Sequence, residues 1–308
     1  MIQKTLLLVL LISSQNLFSQ QLPQYSQWYA NQFVGNPSHA GIKRCIDVHT
    51  LYRNQWVGFS GAPKSGFLTV SIPLYKQRKQ YLSARHGTGF KFERDEIGQF
   101  STSRLNIAYA AHFNFDKYKR LSLGLYGGVV QMGYNPATVH VANIDPAVLS
   151  EASIVAPDAS FGTWFNDQNY FVGLSLLNLI PTKWNNVGVN SKNFTHINLN
   201  AGYRLGANDN MSFIPAFMLR VPTRGKANID LNLLWDYKNT LSLGLGYRST
   251  DALIAFVSIK INSQFALNYS FDYTLSDIQK AAKNTHEISI RFSTCKIKKE
   301  RTASCPLF

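Results

Sequence analysis

Beyond residue 19 the chain contains no run of about 18 apolar residues, so we expect no transmembrane helix. It also carries little charge, because Asp, Glu, Lys and Arg make up only 16 % of the residues. Aromatic residues are abundant, with 20 Phe, 15 Tyr and 5 Trp, and proline lies mainly between periodic segments. This composition is typical of an all-β extracellular domain or of an outer-membrane β-barrel.

The motifs of common enzymes and metal sites are also missing. GFSGA at 58–62 places its second glycine one position too early for the Gly-x-Ser-x-Gly motif. GLGYRS at 244–249 lacks the third glycine of a dinucleotide-binding loop, and HEISI at 286–290 lacks the second histidine of the helical zinc motif. There is no CxxC pair. We therefore expect no catalytic residues, no cofactor and no metal, and we expect that the protein is not an enzyme.

The first 19 residues have the pattern of a secretory signal peptide. Lys4 provides a positive start, an apolar run from Leu6 to Ile12 follows, and Ser19 is a small residue at a suitable cleavage point. The run is too short to span a bilayer as a helix. We expect export through the Sec pathway and cleavage after Ser19. A lipoprotein is not expected, because the first cysteine is Cys45.

The net charge is strongly positive, at +14, with 31 Lys and Arg against 17 Asp and Glu. In an exported protein such a charge favours anionic lipid headgroups, acidic glycans or partner proteins rather than nucleic acid. The basic tail KIKKER at 296–301 is either a docking site or a solvated run of charge.

Three cysteines cannot all pair with one another. Cys295 and Cys305 are candidates for a disulfide that closes a loop in the tail. Alternatively, Cys45 bridges to either of them, and in each case one thiol is left over.

Apolar and polar residues alternate along most of the chain, as in 101–116, 227–237 and 265–273. Strands of about ten residues with one apolar and one polar face are typical of a membrane barrel. The strands of a sandwich are usually nearer five or six residues. In 101–116 one face holds Leu105, Ile107, Tyr109, Ala111, Phe113 and Phe115, and the other holds Arg104, Asn106, His112 and Asn114.

Alternation and breaking residues together predict an outer-membrane antiparallel β-barrel of about 14 strands, with both termini in the periplasm. Connections after even-numbered strands are mostly short and several after odd-numbered strands are long, as expected for periplasmic turns and outer loops. The long basic connection 74–85 is an exception. The predicted strands are 44–57, 65–73, 86–93, 101–115, 119–134, 157–165, 169–179, 193–205, 211–221, 227–237, 240–248, 252–261, 264–274 and 286–294.

The predicted organisation is a signal peptide (1–19), an N-terminal periplasmic or plug segment (20–43), the barrel (44–294) and a basic periplasmic tail (295–308). Segment 20–43 does not alternate, and it is either a plug in the lumen or a flexible periplasmic lead-in. Its aromatic residues favour the plug; they are Tyr25, Trp28, Tyr29 and Phe33.

The first predicted strand, 44–57, has two clear faces and leads into an outer turn, GFSGAP at 58–63. Ile46, Val48, Tyr52 and Trp56 are expected to face lipid, and Asp47, His49, Arg53 and Gln55 the lumen. Trp56 is expected near the outer aromatic girdle.

Two stretches, PQYSQWYANQFVGNPSHAG at 23–41 and YRNQWVGFSGAP at 52–63, carry a resemblance to a known family. The first is similar to the opening of the PorP/SprF family of Bacteroidetes outer-membrane proteins, which is associated with the type IX secretion system. The second resembles the signature of that family position for position. Weaker similarities follow in order along the chain: RDEIG (94–98), PDASFGTWF (157–165), GLGYRSTDA (244–252), YSFDYTLS (269–276), THEISIRF (285–292) and the terminal CPLF.

The resemblance implies a non-enzymatic barrel in the cell outer membrane that supports export and surface attachment of a cognate secreted protein. Such clients include large adhesins, among them gliding adhesins, with a C-terminal type IX sorting domain. The implied partners are this client, other secretion and gliding machinery, and outer-membrane lipids. The candidate partner-binding residues are Tyr25, Ser26, Gln27, Asn36, Pro37, Gly41, Tyr52, Arg53, Gln55, Trp56, Gly58, Phe59, Gly61, Ala62, Pro63, His286 and Glu287.

These residues also have an ordinary structural interpretation. Tyr52 and Trp56 would anchor the barrel in lipid, while Gly58, Gly61 and Pro63 would shape a turn. Two other functions fit the pattern, namely a passive diffusion channel for small or hydrophobic solutes and a soluble extracellular β-sandwich that binds glycans.

Overall fold

The computed structural model describes residues 22–74, 81–135, 152–183, 192–208, 211–249 and 251–294. The predicted signal peptide (1–19) and basic tail (295–308) lie outside these ranges. Within the ranges, no helix is long and apolar enough to cross a membrane. Short 3-10 helices cover Gln32–Val34, Pro37–His39 and Asp277–Lys280.

Antiparallel strands make up most of the described chain. They are β1 (Asp47–Asn54), β2 (Lys64–Pro73), β3 (Arg85–Ile97), β4 (Phe100–Asn114), β5 (Arg120–Tyr134), β6 (Ala152–Asn166), β7 (Tyr170–Leu177), β8 (His196–Tyr203), β9 (Leu205–Asn208), β10 (Met211–Pro222), β11 (Asn228–Tyr237), β12 (Leu241–Arg248), β13 (Ala252–Lys260), β14 (Phe265–Thr274) and β15 (Thr285–Ser293).

The strands close into a barrel, because β15 pairs with β1 and every other strand pairs with its neighbour around the wall. The short β9 continues the line of β8 after Arg204, and both pair with β10. The wall therefore has fourteen positions, which confirms the predicted barrel.

Some strand bounds differ from the prediction. β3 extends to Ile97 and β6 begins at Ala152, since their backbones continue to pair with β4 and β5 beyond the clearly alternating residues. β1 ends at Asn54. Gln55 and Trp56 instead belong to the following turn, so the prediction that Trp56 ends a lipid-facing strand is wrong.

The alternation of the sequence becomes the two faces of the wall. On β4, Ile107 is 66 % exposed on the outer face, whereas its neighbours Asn106 and Ala108 are 0 % and 1 % exposed. A row of exposed apolar side chains against lipid and a polar row toward the lumen is the pattern of a membrane barrel. The faces predicted for 101–116 are confirmed.

The two ends of the barrel differ in their connections. β1 begins and β15 ends at one end, where Asp47 pairs with Ser293, and we name this the termini end. The opposite end, which we name the far end, carries the longer described connections, including 55–63 and 275–284. Turns at the termini end are mostly short, for example 167–169 and 261–264. Exceptions are the two-residue β3–β4 and three-residue β12–β13 connections at the far end, and the long β2–β3 connection at the termini end.

Candidate functional site: the lumen and its far end

Residues 22–43 lie inside the barrel and run from the far end toward the termini end. Leu22 and Pro23 line the same cavity as residues 224–228, in and just after the β10–β11 connection at the far end. At the other extreme, the backbone oxygen of Ile42 accepts a hydrogen bond of 2.7 Å from Nη1 of Arg120, at the termini-end start of β5. The segment, which we name the lumen segment, therefore passes along the barrel interior before β1 begins.

Local sequence explains why the lumen segment is not a strand. The side chain of Asn36 caps the Pro37–His39 turn, accepting a hydrogen bond of 3.0 Å from the backbone nitrogen of Ser38. Its Nδ2 donates to the backbone oxygen of Thr163 in the wall at 3.1 Å. Opposite the turn the wall has glycine: a Cβ on Gly124 would lie 2.5 Å from the carbonyl carbon of Pro37.

The backbone around Gly41 also leaves no room for a side chain. Its φ is +65°, and an added Cβ would lie 2.5 Å from Cα of Gly87 and 2.7 Å from the backbone oxygen of Ile72. Its backbone nitrogen donates to Ser71 Oγ at 2.7 Å. A glycine is therefore required where the chain turns out of the lumen toward β1.

Aromatic contacts attach the lumen segment to the wall. The Tyr25 ring contacts Phe67 edge-on at 5.0 Å, and Tyr29 contacts Phe256 in the same way at 4.5 Å. Trp28 and Phe33 are also buried, each 4 % exposed. All four aromatic residues that favoured a plug from the sequence thus lie in the lumen.

A network of buried charges holds the far end of the lumen segment. Nη1 of Arg53, on β1, lies 3.0 Å from Oδ2 of Asp272 and 2.5 Å from Oε1 of Glu287. Arg248 on β12 contacts Asp272 at 3.4 Å and Asp230 at 3.1 Å. Arg220 on β10 completes the set, with Nη1 at 2.8 Å from Asp230 Oδ2. The formal charges of the buried members cancel, and Arg248 also lies 3.6 Å from the partly exposed Asp251. The buried members are Arg53, Arg220, Arg248, Asp230, Asp272 and Glu287.

Ser26 and Gln27 lie directly on this network. The backbone nitrogens of Ser26 and Gln27 donate to the two carboxylate oxygens of Glu287 at 2.7 and 3.0 Å. Ser26 Oγ donates to Asp272 at 2.6 Å and accepts from Arg53 and Arg248 at 3.1 and 2.9 Å. The lumen segment therefore supplies hydrogen bonds that the buried charges need. Such a network is stable when every member is paired, and losing one partner is costly.

The structure brings together several of the predicted family-motif residues. Ser26, Gln27, Arg53 and Glu287 meet in the charge network, and Tyr25 donates to Glu93 Oε1 at 3.0 Å beside it. His286 is separate, because it lies on the outer face of β15, where Nδ1 is 2.7 Å from the Tyr269 hydroxyl oxygen. Asn36, Pro37 and Gly41 lie deeper in the lumen.

The Tyr52–Pro63 stretch divides between the wall and the far end. Tyr52 is 50 % exposed on the outer face, as predicted, whereas Arg53 is buried.

Trp56 begins the turn at the far end. It has a φ of 51° and its backbone nitrogen donates to Thr285 Oγ1 at 3.1 Å. Gly58 and Gly61 have φ values of 90° and 75°. The backbone nitrogen of Gln55 donates a hydrogen bond to the backbone oxygen of Pro63 at 3.0 Å. Phe59 is exposed and Ala62 half-buried. This stretch forms a far-end turn attached to β15.

Sequence reasoning missed Asp230, Asp272, Arg220 and Arg248 as site residues. Arg248 and Asp272 lie within the stretches GLGYRSTDA and YSFDYTLS, which resemble the family only weakly. These residues alternate with the outward apolar residues along their strands, so the sequence places them on the inward face. That alternation is the signal that could have identified them.

The cysteine arrangement requires a correction. Cys45 is disulfide-bonded, so the pairing of Cys295 with Cys305 that leaves Cys45 as the free thiol is wrong. Cys45 lies just before β1 at the termini end, with Sγ 3.2 Å from Ser293 Oγ at the end of β15. Cys295 and Cys305 lie outside the described residues. Among the described residues, no group of three or more His, Cys, Asp and Glu side chains could hold a metal ion.

The comparison with protein families decides what kind of barrel this is. The family model for the type IX secretion system membrane protein PorP/SprF matches residues 17–292. The chain belongs to the PorP/SprF family. The family and the fold together place this PorP/SprF protein in the outer membrane, in association with the type IX secretion machinery.

Solved outer-membrane barrels share its fold. The toluene transporter TbuX of Ralstonia pickettii is similar at a TM-score of 0.52 and 10 % identity, over 85 % of this chain and 92 % of that chain. CymD, a monoaromatic hydrocarbon channel, is similar at a TM-score of 0.52 and 10 % identity, over 91 % and 95 % of the two chains. At this identity the similarity establishes the fold alone. No curated protein sequence matches the chain.

Proposed function

We propose that this PorP/SprF protein is a non-enzymatic component that supports export and cell-surface attachment of one cognate secreted protein. The client would carry a C-terminal type IX sorting domain, and large adhesins, including gliding-type adhesins, are the clients the family suggests. The client would contact the barrel at the far end rather than pass through it.

The observation that carries the proposal is the occupied lumen. The lumen segment contacts the wall from Tyr25 near the far end to Ile42 at the termini end, through hydrogen bonds, buried aromatic rings and the charge network. A folded or extended client would have to displace all of these contacts in order to use the lumen as a path. A closed barrel that offers its far-end surface to a partner fits these contacts better.

The lengths of the connections support a far end that faces the cell exterior. Outer-membrane barrels have short periplasmic turns and longer extracellular loops, and here most of the longer described connections lie at the far end, with the β2–β3 connection as an exception. The 55–63 turn, which carries most of the family signature, and the far-end mouth of the lumen would then face the exterior.

The experiment is a detergent-solubilised pull-down of the tagged protein from its native outer membrane, followed by surface display of the recovered client. We expect a secreted protein to co-purify through its C-terminal domain, and we expect its surface display to be lost when the barrel gene is deleted. A barrel recovered alone, under conditions that preserve other envelope complexes, would contradict the proposal. Unchanged display of the client after deletion would contradict it as well.

A passive diffusion channel is the second candidate, favoured by one observation. A cavity of about 380 Å³ opens within the far-end half of the lumen, and TbuX and CymD are described as a transporter and a channel for aromatic hydrocarbons. Uptake of small aromatic solutes into liposomes that contain the full-length protein would favour this function, whereas an accessory barrel requires no uptake.

A further inference from the structure

The far-end cavity is lined by several charged side chains. Basic residues in its lining are Lys91, Arg104, Arg220, Arg224 and Lys226. The acidic residues in the lining are Glu93 and Asp158. Arg220 is already paired with Asp230 in the charge network. The remaining positive groups exceed the negative groups by two, and the cavity favours an anionic occupant.

Both acidic residues in the lining already accept a hydrogen bond from a neighbouring side chain. Glu93 accepts a hydrogen bond from the Tyr25 hydroxyl at 3.0 Å and lies 4.0 Å from Lys91 Nζ and 3.9 Å from Arg104 Nη1. Asp158 Oδ2 accepts from Asn106 at 2.8 Å. Arg224 and Lys226 are exposed on the rim, in the β10–β11 connection. The excess positive charge therefore lies at the entrance, whereas Lys91 and Arg104 inside the cavity are balanced by Glu93 and Asp158.

Buried polar atoms in the lining also lack partners. Asp158 Oδ1 and Gln32 Nε2 have no hydrogen-bond partner, although these residues are only 5 % and 4 % exposed. Leaving such atoms unpaired is costly, so a complementary ligand would gain from pairing them. The ligand must offer a donor to Asp158 and an acceptor to Gln32 as well as a negative charge.

The cavity is closed on its inner side by the lumen segment. Asn31, Gln32, Val34, Gly35 and Asn36 line its inner part. Its volume of about 380 Å³ lies in the range of small-ligand pockets, about 300–1,000 Å³. A blind pocket of this size admits the end of a chain more readily than a continuous loop. A peptide carboxyl terminus offers a carboxylate, backbone N–H donors and carbonyl acceptors together.

We propose that the far-end cavity binds the acidic carboxyl-terminal end of a polypeptide, through Lys91, Arg104 and the rim residues Arg224 and Lys226. This inference rests on the proposed function, in which a secreted client reaches the far end. It specifies the chemistry by which the barrel would hold that client.

Gly35 provides a way to block the cavity without changing its charge. Gly35 lines the cavity, its φ is −105°, and an added Cβ would meet no atom within 4 Å. Gly35→Leu should therefore fill the inner part of the cavity while the barrel folds. A second variant, Arg224→Gln with Lys226→Gln, removes the rim charge. Its matched control is Lys117→Gln with Lys119→Gln, which removes the same charge from an exposed termini-end turn.

The experiment is calorimetric titration of the full-length protein in detergent with an acetylated pentapeptide, Gly-Ser-Gly-Asp-Glu, that ends in a free carboxylate. Its C-terminal amide with Asn and Gln in place of Asp and Glu, and a trimer of galacturonic acid, are titrated in parallel. We expect binding of the acidic peptide that weakens at least tenfold for the neutral amide, for Gly35→Leu and for the rim variant. The Lys117 and Lys119 control should bind as the wild type does.

Three results would overturn the inference: no binding of the acidic peptide, equal binding to Gly35→Leu, or tighter binding of the galacturonate trimer, which would make an acidic glycan the ligand class. The variants also separate this inference from the proposed function. If the client still co-purifies with Gly35→Leu and is displayed normally, the accessory function stands and the cavity is not its binding site. If deletion of the barrel leaves display unchanged, the proposed function itself fails.

Discussion

Nη1 of Arg53 lies 3.0 Å from Oδ2 of Asp272, although the two residues are 219 positions apart in the chain. Ser26 Oγ donates to the same Asp272 oxygen at 2.6 Å. One carboxylate therefore joins the first strand, a strand near the end of the barrel and the lumen segment. The contacts that seat the lumen segment thus also link β1 to β14, beside the β15–β1 pairing that closes the barrel.

Removal of one member of the charge network should destabilise the barrel. Asp272→Asn removes one of the three buried carboxylates that face three arginines, although Arg53 keeps Glu287 and Arg248 keeps Asp230. Breaking a buried pair costs about 3–5 kcal/mol, and we expect a loss near the lower end of that range. Urea unfolding in detergent would measure this loss. The control is Arg94→Gln, which breaks an ion pair whose side chains are 52 % and 46 % exposed and which should cost about 0–1 kcal/mol. Equal effects of the two substitutions would contradict the buried network.

Gly41→Ala should prevent assembly of the native barrel. The added Cβ would lie 2.5 Å from a backbone atom of Gly87, and the φ of +65° disfavours alanine independently. The heat-modifiable shift of the folded band on an SDS gel reports assembly. Gly35→Ala is the matched control in the same segment, since its added Cβ meets no atom within 4 Å. A folded Gly41→Ala barrel would show that the chain leaves the lumen by another route.

The assignment of the far end to the cell surface predicts which residues can be labelled on intact cells. Ser60 and Lys117 are both exposed, Ser60 in the far-end 55–63 turn and Lys117 in the termini-end 115–119 turn. Ser60→Cys should react with a membrane-impermeant maleimide on intact cells, and Lys117→Cys only after lysis. Labelling of the parent protein gives the background from native thiols. The reverse pattern would place the termini end outside and remove the basis for far-end client binding.

The strands could be predicted because lipid on one side of the wall and the lumen on the other impose alternation along most of each strand. Ile107 and Asn106 are neighbours with opposite exposure, and the sequence predicts this difference because one residue is apolar and the other polar. The lumen segment has no such alternation. Its aromatic residues therefore indicated that the segment is buried, but not in which direction it runs through the barrel. Nothing in Tyr25 or Ile42 tells which of the two lies at the far end; that depends on long-range partners such as Glu93 and Arg120.

The charge network was only partly predictable for the same reason. Arg53 and Glu287 were identified through family motifs, and both face inward as their strand parity requires. Asp230 and Arg220 lie in stretches without a motif, and their pairing follows from the β10–β11 register. The turn that holds Trp56 differs from the predicted strand end because its backbone bonds to Thr285 and Asn284, far away in sequence.

Conductance in planar bilayers tests the closed lumen most directly, by comparing the wild type with Ser26→Glu. Ser26 is 0 % exposed, so the longer glutamate side chain overpacks the site. Its carboxylate would also be a third one beside Asp272 and Glu287, which lie within 2.7 Å of Ser26 atoms and already pair with Arg53. Overpacking and this like-charge repulsion together should release the lumen segment. Ser60→Glu, on the exposed far-end turn, is the charge-matched control. We predict that the wild type and Ser60→Glu do not conduct ions and that Ser26→Glu does. Steady conductance of the wild type, equal to that of Ser26→Glu, would contradict the account and indicate a diffusion channel.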